Sequence, residues 1–361
     1  MRGVNGRGGY SLTNKSQYLP LLQIIEGKEV VKVGSIQKIK NVLISSQRGA
    51  YDTPRKMTST FMSMFKTWNK RTETVDKKYC RFCNLDLAET ENSFLIQVAD
   101  HQERSPAPID TQKDFIERGF LVLINPQPWQ MIQEILVLKR HVETIYDFSM
   151  TEHENLFYCA LSCWQRYSAL KTELQLHAEM SLKESWLTLF TNDRMGATVL
   201  HAHSQPGVSL LPPGKETKPE FLSQEAWNFA ETDAFSVSTV PGRNNEIVVF
   251  SKRSYTIDEL NMITISEQLG LIRTAILDLY NDLFGGKLPL NEGMFLKFDS
   301  PSILVYVIVP YFNEGAPQRL LNLQYYSGTP REVAQNIAIK LQQLDEWKMF
   351  EKQGLKLTIM V

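Results

Sequence analysis

Two histidines stand two residues apart in the segment His201-Ala202-His203-Ser204-Gln205. In a β-strand, residues i and i+2 project from the same face, so His201, His203 and Gln205 are predicted to share one face of a strand. A neutral imidazole near pH 7 is a competent nucleophile toward phosphorus, and a backbone carbonyl that accepts a hydrogen bond from Nδ1 leaves Nε2 free to attack. Two histidines on a strand are also common as core residues or metal ligands, so the pair alone does not select among these roles.

Cys80 and Cys83 have the Cys-x-x-Cys spacing with which two thiolates bind one Zn²⁺ from a tight turn. A redox pair or two core cysteines would fit the same spacing. His141 directly follows a predicted strand, and His201 lies on a later one. Together, Cys80, Cys83, His141 and His201 would form a closed, tetrahedral Cys₂His₂ site, which is structural rather than catalytic. The alternative is that all four are core residues and bind no metal.

The composition is that of a soluble globular protein, with 361 residues, 43% apolar and 22% charged. A net charge of -1 argues against a nucleic-acid partner. No segment approaches the roughly 20 apolar residues that a membrane-spanning helix needs, and the N-terminus lacks the apolar region of a secretory signal. Four cysteines are too few for a disulfide scaffold in a chain of this length. We therefore expect a cytoplasmic protein with no membrane partner.

The elements that must position these residues follow one order twice. Residues 20–46 are predicted to be rich in β-structure. Two strands (120–126 and 134–138), a long helix that begins after Ser149 or Thr151, and two more strands (186–190 and the one bearing the histidines) come next. Ser149 and Glu152 have the spacing of a capping box. After a proline-rich break, strands 235–240 and 246–250, a helix over 263–285 and strands 294–298 and 303–309 repeat this order, and a helix near 331–344 ends it. The repetition predicts an internal duplication of an α+β unit.

The motifs resemble the galactose-1-phosphate uridylyltransferase branch of the histidine-triad (HIT) superfamily. That branch has His-x-His-x-Gln where the hydrolase branch has His-x-His-x-His. Similar to its other motifs are the cysteine segment Cys80-Arg81-Phe82-Cys83, the strand and histidine of Leu136 to His141, and Phe190-Thr191-Asn192 before a glycine-containing loop. The resemblance spans residues 80–206. It implies an α+β fold of two fused HIT-like repeats, each an antiparallel sheet with a long helix. We expect a flexible tail (1–19), an N-terminal domain with zinc and nucleophile (20–220) and a degenerate C-terminal domain (221–361).

By this resemblance His203 is the nucleophile that forms a nucleotidyl-histidine, and His201 is a ligand of structural Zn²⁺. Gln205 is able to donate its amide N–H to a non-bridging oxygen and stabilise the charge that develops there. Unlike histidine, it cannot deliver a proton. A glutamine at this position favours transfer with a leaving group that needs no acid, such as pyrophosphate or a sugar phosphate, over hydrolysis.

Five further residues are predicted to contact nucleotide or phosphate. Asn192 and Thr198 match positions that touch phosphate in the family, and Arg48 resembles its phosphate-binding arginine. Arg194 is a reasonable phosphate partner without support from the family, and Asn125, which closes a predicted strand, is grouped with them. For Arg48 and Arg194, a solvated surface charge is an equal alternative.

The second repeat departs from the family pattern. Ser254 stands where the family has a histidine, Tyr306-Val307-Ile308 replaces a second His-x-His, and the sugar-binding glutamate is missing near Tyr325-Tyr326. A second metal site should be absent, and the acceptor should be a phosphorylated compound other than a hexose 1-phosphate. The leading hypothesis is a nucleotidyltransferase with a nucleotide or nucleotide-sugar donor, in a homodimer as in the family. The alternatives are a nucleotide-sugar or dinucleotide phosphorylase that uses the same site, and a zinc-stabilised nucleotide-binding protein without activity.

Overall fold

The computed structural model describes residues 22–25, 28–33, 36–39, 42–45, 80, 82–83, 111–124, 130, 132–169, 185–192, 201–209, 227–239, 246–287, 289–310 and 330–358. Within them, antiparallel strands and a small number of helices make an α+β protein, which confirms the predicted class. None of the described helices is long and apolar enough to cross a membrane. The predicted tail (1–19) lies outside the described residues, as do Arg48, Asn125, Arg194, Thr198 and Tyr325-Tyr326.

Two sheets contain all the described strands. A four-stranded antiparallel meander comprises β1 (Leu22–Ile25), β2 (Lys28–Val33), β3 (Ile36–Ile39) and β4 (Val42–Ser45), within the stretch predicted to be β-rich. A ten-stranded sheet comprises β5 (Phe120–Ile124), β6 (Ile132–Leu138), β7 (Trp186–Asn192), β8 (His203–Ser209), β9 (Trp227–Glu231), β10 (Phe235–Thr239), β11 (Ile247–Tyr255), β12 (Leu290–Lys297), β13 (Ser302–Pro310) and β14 (Lys356–Leu357). The helices are α1 (Thr111–Glu117), α2 (Met150–Ala169), α3 (Met262–Phe284), α4 (Pro330–Gln343) and α5 (Trp347–Lys352), with short 3₁₀ helices at Ile145–Asp147 and Ile257–Glu259.

The large sheet brings the two predicted runs of elements side by side. Its strand order is β14-β9-β10-β11-β13-β12-β7-β8-β6-β5. The run β5, β6, α2, β7, β8 lies in the sheet as 5-6-8-7, and the run β10, β11, α3, β12, β13 lies as 10-11-13-12. The two runs therefore share both their order along the chain and their arrangement in the sheet. Strands β7 and β12 pair antiparallel, from Asn192 opposite Asn291 to Trp186 opposite Lys297, and join the runs into one sheet.

The long helices α2 and α3 pack against each other and share the main apolar core with the sheet. Gly270 permits their close approach, because a Cβ at this position would come within 2.8 Å of the backbone nitrogen of Glu154. Local signals set where these helices begin and end. Ser149 Oγ accepts from the Glu152 N–H at 3.2 Å, and Glu152 Oε2 accepts from the Ser149 N–H at 2.7 Å, which is the predicted capping box. Helix α3 ends at Phe284 and is capped by Gly285, whose φ of 64° suits glycine.

A buried polar network connects the two long helices to strands β12 and β13. Arg273, fully buried on α3, donates to Glu292 from Nε at 2.9 Å and from Nη2 at 2.5 Å. The Arg273 Nη1 lies 3.2 Å from His153 Nδ1, and the Tyr306 hydroxyl donates to Glu292 Oε1 at 2.7 Å. Burial lowers the pKa of His153, and the Arg273 charge lowers it further, so His153 is neutral and accepts from Arg273. Tyr306, where the resemblance led us to expect a second His-x-His, therefore belongs to the core of this fold.

Candidate functional site

Four side chains from three separate segments of the chain meet where the turn at Cys80–Cys83 approaches the end of β6. The Cys80 Sγ lies 3.3 Å from His201 Nδ1, and the Cys83 Sγ lies 3.2 Å from His141 Nδ1 and 3.5 Å from His201 Nδ1. One ligand atom from each of Cys80, Cys83, His141 and His201 lies within 4.8 Å of the other three. The structure thus brings together the four residues of the predicted Cys₂His₂ set, and this cluster has the composition of a metal centre.

The surroundings of the cluster suit a metal. The Leu138 carbonyl accepts a hydrogen bond of 2.7 Å from His201 Nε2, which leaves the Nδ1 lone pair directed toward the two sulfur atoms. Burial lowers the pKa of His201 to about 4, so its ring is neutral near pH 7, as a ligand must be. Cys80 and Cys83 are not joined by a disulfide. Two sulfurs and two imidazole nitrogens that converge within 4.8 Å match the donor set of a structural Zn²⁺ site.

His201 precedes strand β8 rather than lying on it. The strand begins at His203, and the Ala202 N–H donates to the Val142 carbonyl at 2.8 Å instead of to a neighbouring strand. The prediction that both histidines lie on one strand is therefore wrong by two residues. Because His201 lies outside the hydrogen-bonded strand pairing, its imidazole is able to reach the cysteines while its carbonyl remains next to the ring of His203.

The ring of His203 is oriented by the backbone of the nearby residue His201. Its Nδ1–H donates to the His201 carbonyl at 2.8 Å, which fixes the tautomer and leaves the Nε2 lone pair for another partner. The side chain is buried, and this burial lowers its pKa, so the ring is neutral near pH 7. No described residue hydrogen-bonds to its Nε2. The sequence analysis considered a backbone carbonyl that accepts from Nδ1. In the structure this carbonyl belongs to His201, one of the four residues of the Cys₂His₂ cluster.

Phe82 connects the cysteine turn to both histidines. Its ring meets that of His201 edge-on with a centroid distance of 5.7 Å and that of His203 at 5.3 Å. It also packs against a buried cluster that includes Val137, the residue opposite His203 in the sheet. A metal bound by Cys80 and Cys83 would therefore also hold Phe82 against the ring of His203.

Two further glutamines lie near Gln205, on strand β6 or just before it. Gln205 lies opposite Phe190, and its Oε1 accepts a hydrogen bond of 2.6 Å from Gln133 Nε2. Gln130 Oε1 accepts from the Thr188 hydroxyl at 2.8 Å and covers Gly207, where a Cβ would lie 2.0 Å from that oxygen. The sequence analysis missed Gln130 and Gln133. The signal available for Gln133 was the polar pair Gln133-Glu134 within the mostly apolar strand β6, and Gln130 precedes that strand.

Of the predicted phosphate contacts, only Asn192 falls within the described residues, and there only its backbone, at the end of β7. The neighbouring Thr191 hydroxyl lies 2.7 Å from that of Ser204, which ties β7 to β8 beside His203. The end of β7, and with it Asn192, is therefore anchored close to the start of β8.

No protein-family model and no curated protein sequence matches the chain. Solved structures do match it. A uridylyltransferase mutant aligns over 62% of this chain and 89% of its own, with 14% sequence identity and a TM-score of 0.50. A second uridylyltransferase structure aligns over 62% and 85%, with 15% identity and a TM-score of 0.49. A GalT-like protein from Arabidopsis thaliana aligns over 61% and 83%, with 15% identity and a TM-score of 0.47. The predicted resemblance is thus confirmed in the fold: this chain has the fold of the uridylyltransferase.

Proposed function

We propose that this protein is a nucleotidyltransferase that moves a nucleoside monophosphate from a nucleotide or nucleotide-sugar donor, through His203, to a phosphorylated acceptor. The observation that carries the proposal is the hydrogen bond from His203 Nδ1 to the His201 carbonyl at 2.8 Å. It gives a neutral imidazole with one defined lone pair, which is the form that attacks phosphorus.

In the first half of the reaction, His203 Nε2 forms a bond to the α-phosphorus of the donor. The bond from that phosphorus to the bridging oxygen breaks, and pyrophosphate or a sugar phosphate departs with the electron pair. The proton on Nδ1 stays in place, so the ring becomes a cationic nucleotidyl-imidazolium whose charge the His201 carbonyl dipole stabilises. The amide of Gln205, two residues along the strand, donates to a non-bridging oxygen as charge develops on it.

In the second half, a phosphate oxygen of the acceptor attacks the same phosphorus. The bond between phosphorus and Nε2 breaks, and its electron pair returns to the ring, which is again neutral. Gln205 cannot protonate a leaving group, so the leaving groups in both directions must be stable anions. This requirement favours phosphorylated acceptors over alcohols, and transfer over hydrolysis.

We propose Zn²⁺ as the ion of the Cys₂His₂ cluster, with Cys80, Cys83, His141 and His201 as its ligands. A closed site of this kind contributes folding free energy rather than a reactive water. The protein groups that it would hold are the His201 backbone, whose carbonyl orients His203, and the turn that carries Phe82.

The remaining features of the proposal concern the two halves of the chain. The shared order and arrangement of the two runs support two fused HIT-like repeats, with domains of 20–220 and 221–361. Only the first repeat carries the nucleophile, because Tyr306 and Ser254 replace the histidines of the second. We expect an acceptor other than a hexose 1-phosphate, phosphate contacts from Asn192 and Thr198, and a homodimer.

Covalent labelling tests this function. The wild-type protein is incubated with UDP-, ADP-, GDP-, CDP- and TDP-glucose that carry a radioactive α-phosphorus. We expect label on the protein that survives alkali and is released by acid, as a phosphorus–nitrogen bond predicts. His203→Asn is the matched variant, because its side-chain amide is able to donate to the His201 carbonyl but has no nucleophilic nitrogen. It should bind the donor and remain unlabelled.

Two results would reject the assignment: a wild-type protein that no donor labels, and His203→Asn with undiminished label. Inorganic phosphate identifies the acceptor class in the same assay. If phosphate discharges the label rapidly as a nucleoside diphosphate, the enzyme is a phosphorylase. If a sugar phosphate or other phosphorylated metabolite is required, it is a transferase.

A further inference from the structure

Gln205 can stabilise the phosphoryl oxygens only in one of the two orientations of its amide. The side chain carries an acceptor, Oε1, at one corner and a donor, Nε2, at the other. A rotation of half a turn would present the oxygen to a charged phosphate and repel it. Nothing in the backbone of β8 chooses between the two orientations, so another group has to select the one that donates.

We infer that Gln133 is the positioning residue that selects it; this inference rests on the function proposed above. Gln133 Nε2 donates to Gln205 Oε1 at 2.6 Å, which occupies the acceptor corner of Gln205. The donor corner is thereby left for a ligand, and no described residue hydrogen-bonds to it. Gln133 is 2% exposed, so solvent cannot take its place at that corner.

The geometry of the sheet makes this contact specific. Gln133 lies opposite Gly207 on the neighbouring strand, and Gln205 is two residues from Gly207, so the two glutamines are diagonal neighbours on one face. Diagonal neighbours in an antiparallel pair are about 7–8 Å apart, which long side chains are able to bridge.

The substitution Gln133→Glu reverses the selection with little change in size. An ionised carboxylate accepts hydrogen bonds and has none to donate. When this carboxyl is ionised, Gln205 turns its Nε2 toward residue 133 and presents Oε1 to the phosphoryl group. Because burial raises the pKa of a carboxyl, the variant is compared with the wild type at pH 9 as well as at pH 7. Loss of one such donor to a developing oxyanion lowers kcat about 100-fold to 1,000-fold in other enzymes.

The experiment measures single-turnover labelling of His203 with UDP-glucose and ADP-glucose that carry radioactive α-phosphorus. For Gln133→Glu we expect the maximal labelling rate to fall about 100-fold, with a much smaller change in the donor concentration at half-maximal rate. Gln133→Met removes the hydrogen bond without reversing it and should lose about tenfold or less. Adding Gln205→Ala to Gln133→Glu should cause little further loss, because the donor is already misdirected.

The matched control is Gln268→Glu, which makes the same chemical change in the other half of the chain. Gln268 Oε1 accepts hydrogen bonds from the Thr232 hydroxyl and the Ala234 N–H, and a carboxylate is able to accept both. This variant should label at the wild-type rate. Circular dichroism and zinc content show whether each variant is folded.

The outcomes separate this inference from the proposed function. If none of the five nucleoside diphosphate glucoses labels the wild-type protein, the proposed function fails and this inference fails with it. If the wild type is labelled but folded Gln133→Glu retains its rate within threefold, only the positioning role is rejected. The role is also rejected if the losses of Gln133→Glu and Gln205→Ala multiply in the double variant, since two independent effects would then be at work.

Discussion

The buried ion pair between Arg273 and Glu292 allows a quantitative test of how helix α3 is held to strand β12 within the second half of the chain. Both side chains are at most 2% exposed, and Arg273 on α3 makes two hydrogen bonds to Glu292 on β12. Arg273→Met would leave the Glu292 carboxylate buried, with the Tyr306 hydroxyl as its described hydrogen-bond donor. Removing one partner of a buried pair lowers the free energy of unfolding by about 3–5 kcal/mol, mainly through the uncompensated charge that remains.

The double variant Arg273→Met/Glu292→Met shows how much of the loss is due to that uncompensated charge. Both charges are then gone, and the remaining space is filled with apolar groups, so the loss should shrink to about 1–2 kcal/mol or vanish. The stability losses of the two single variants, added together, would then exceed the loss of the double variant by a coupling free energy of about 2 kcal/mol or more. Lys252→Met is the control, because its pair with Glu231 is 2.8 Å long but more than one third exposed on both sides. It should change stability by at most about 1 kcal/mol.

Urea denaturation followed by circular dichroism, with one slope fitted to all variants, supplies these free energies. The reasoning is refuted if Arg273→Met loses less than about 1.5 kcal/mol, a value well below the range for a buried pair. It is also refuted if the double variant is as unstable as the sum of the two single variants, since the stability would then come from packing of each side chain alone.

Three further predictions concern metal, packing and pH. The purified protein should contain close to one equivalent of zinc and Cys83→Ser should lose it; less than half an equivalent in gently purified wild type, measured by elemental analysis, contradicts the Cys₂His₂ assignment. Gly207→Ala should lower stability by about 1–3 kcal/mol in thermal unfolding, because a Cβ would lie 2.0 Å from Gln130 Oε1 and 2.3 Å from the Ile132 carbonyl oxygen. Gly286→Ala, with nothing within 4 Å, should be neutral. Burial, and then the Glu346 carboxylate, raises the pKa of Asp278 from 3.8 to about 6, so its contribution to stability is complete below about pH 4 and is lost as the pH rises through 6. Asp278→Asn should therefore be more stable than wild type at pH 7.5 by about 1 kcal/mol, a figure reduced for solvent screening, and equally stable at pH 4; an advantage that persists at pH 4 argues against ionisation as the cause.

Much of the fold could be predicted because its signals are local. The capping box of Ser149 and Glu152 joins residues three apart, and the alternation of apolar residues in the strands has a period of two. The repeated order of strands and helices followed from these patterns alone. The first residue of β8 was misplaced, because the Ala202 N–H binds a carbonyl some sixty residues away, at Val142. A pattern within a few residues does not predict a hydrogen-bond partner so far away in the sequence.

For the candidate site, the sequence by itself determined which residue types are available. The spacing of the cysteines, the histidine pair and the glutamine at position 205 carry the family resemblance, and through it they predicted a metal cluster beside a nucleophile that attacks phosphorus. Tertiary structure alone decided how those groups are oriented. The carbonyl of His201 meets the Nδ1 of His203 because the chain leaves the ladder at that point, and Gln133 meets Gln205 across 72 positions because β6 pairs with β8 in one register. The physical reason is that residue type sets what a group is able to donate or accept, whereas the register of paired strands sets which partner it finds.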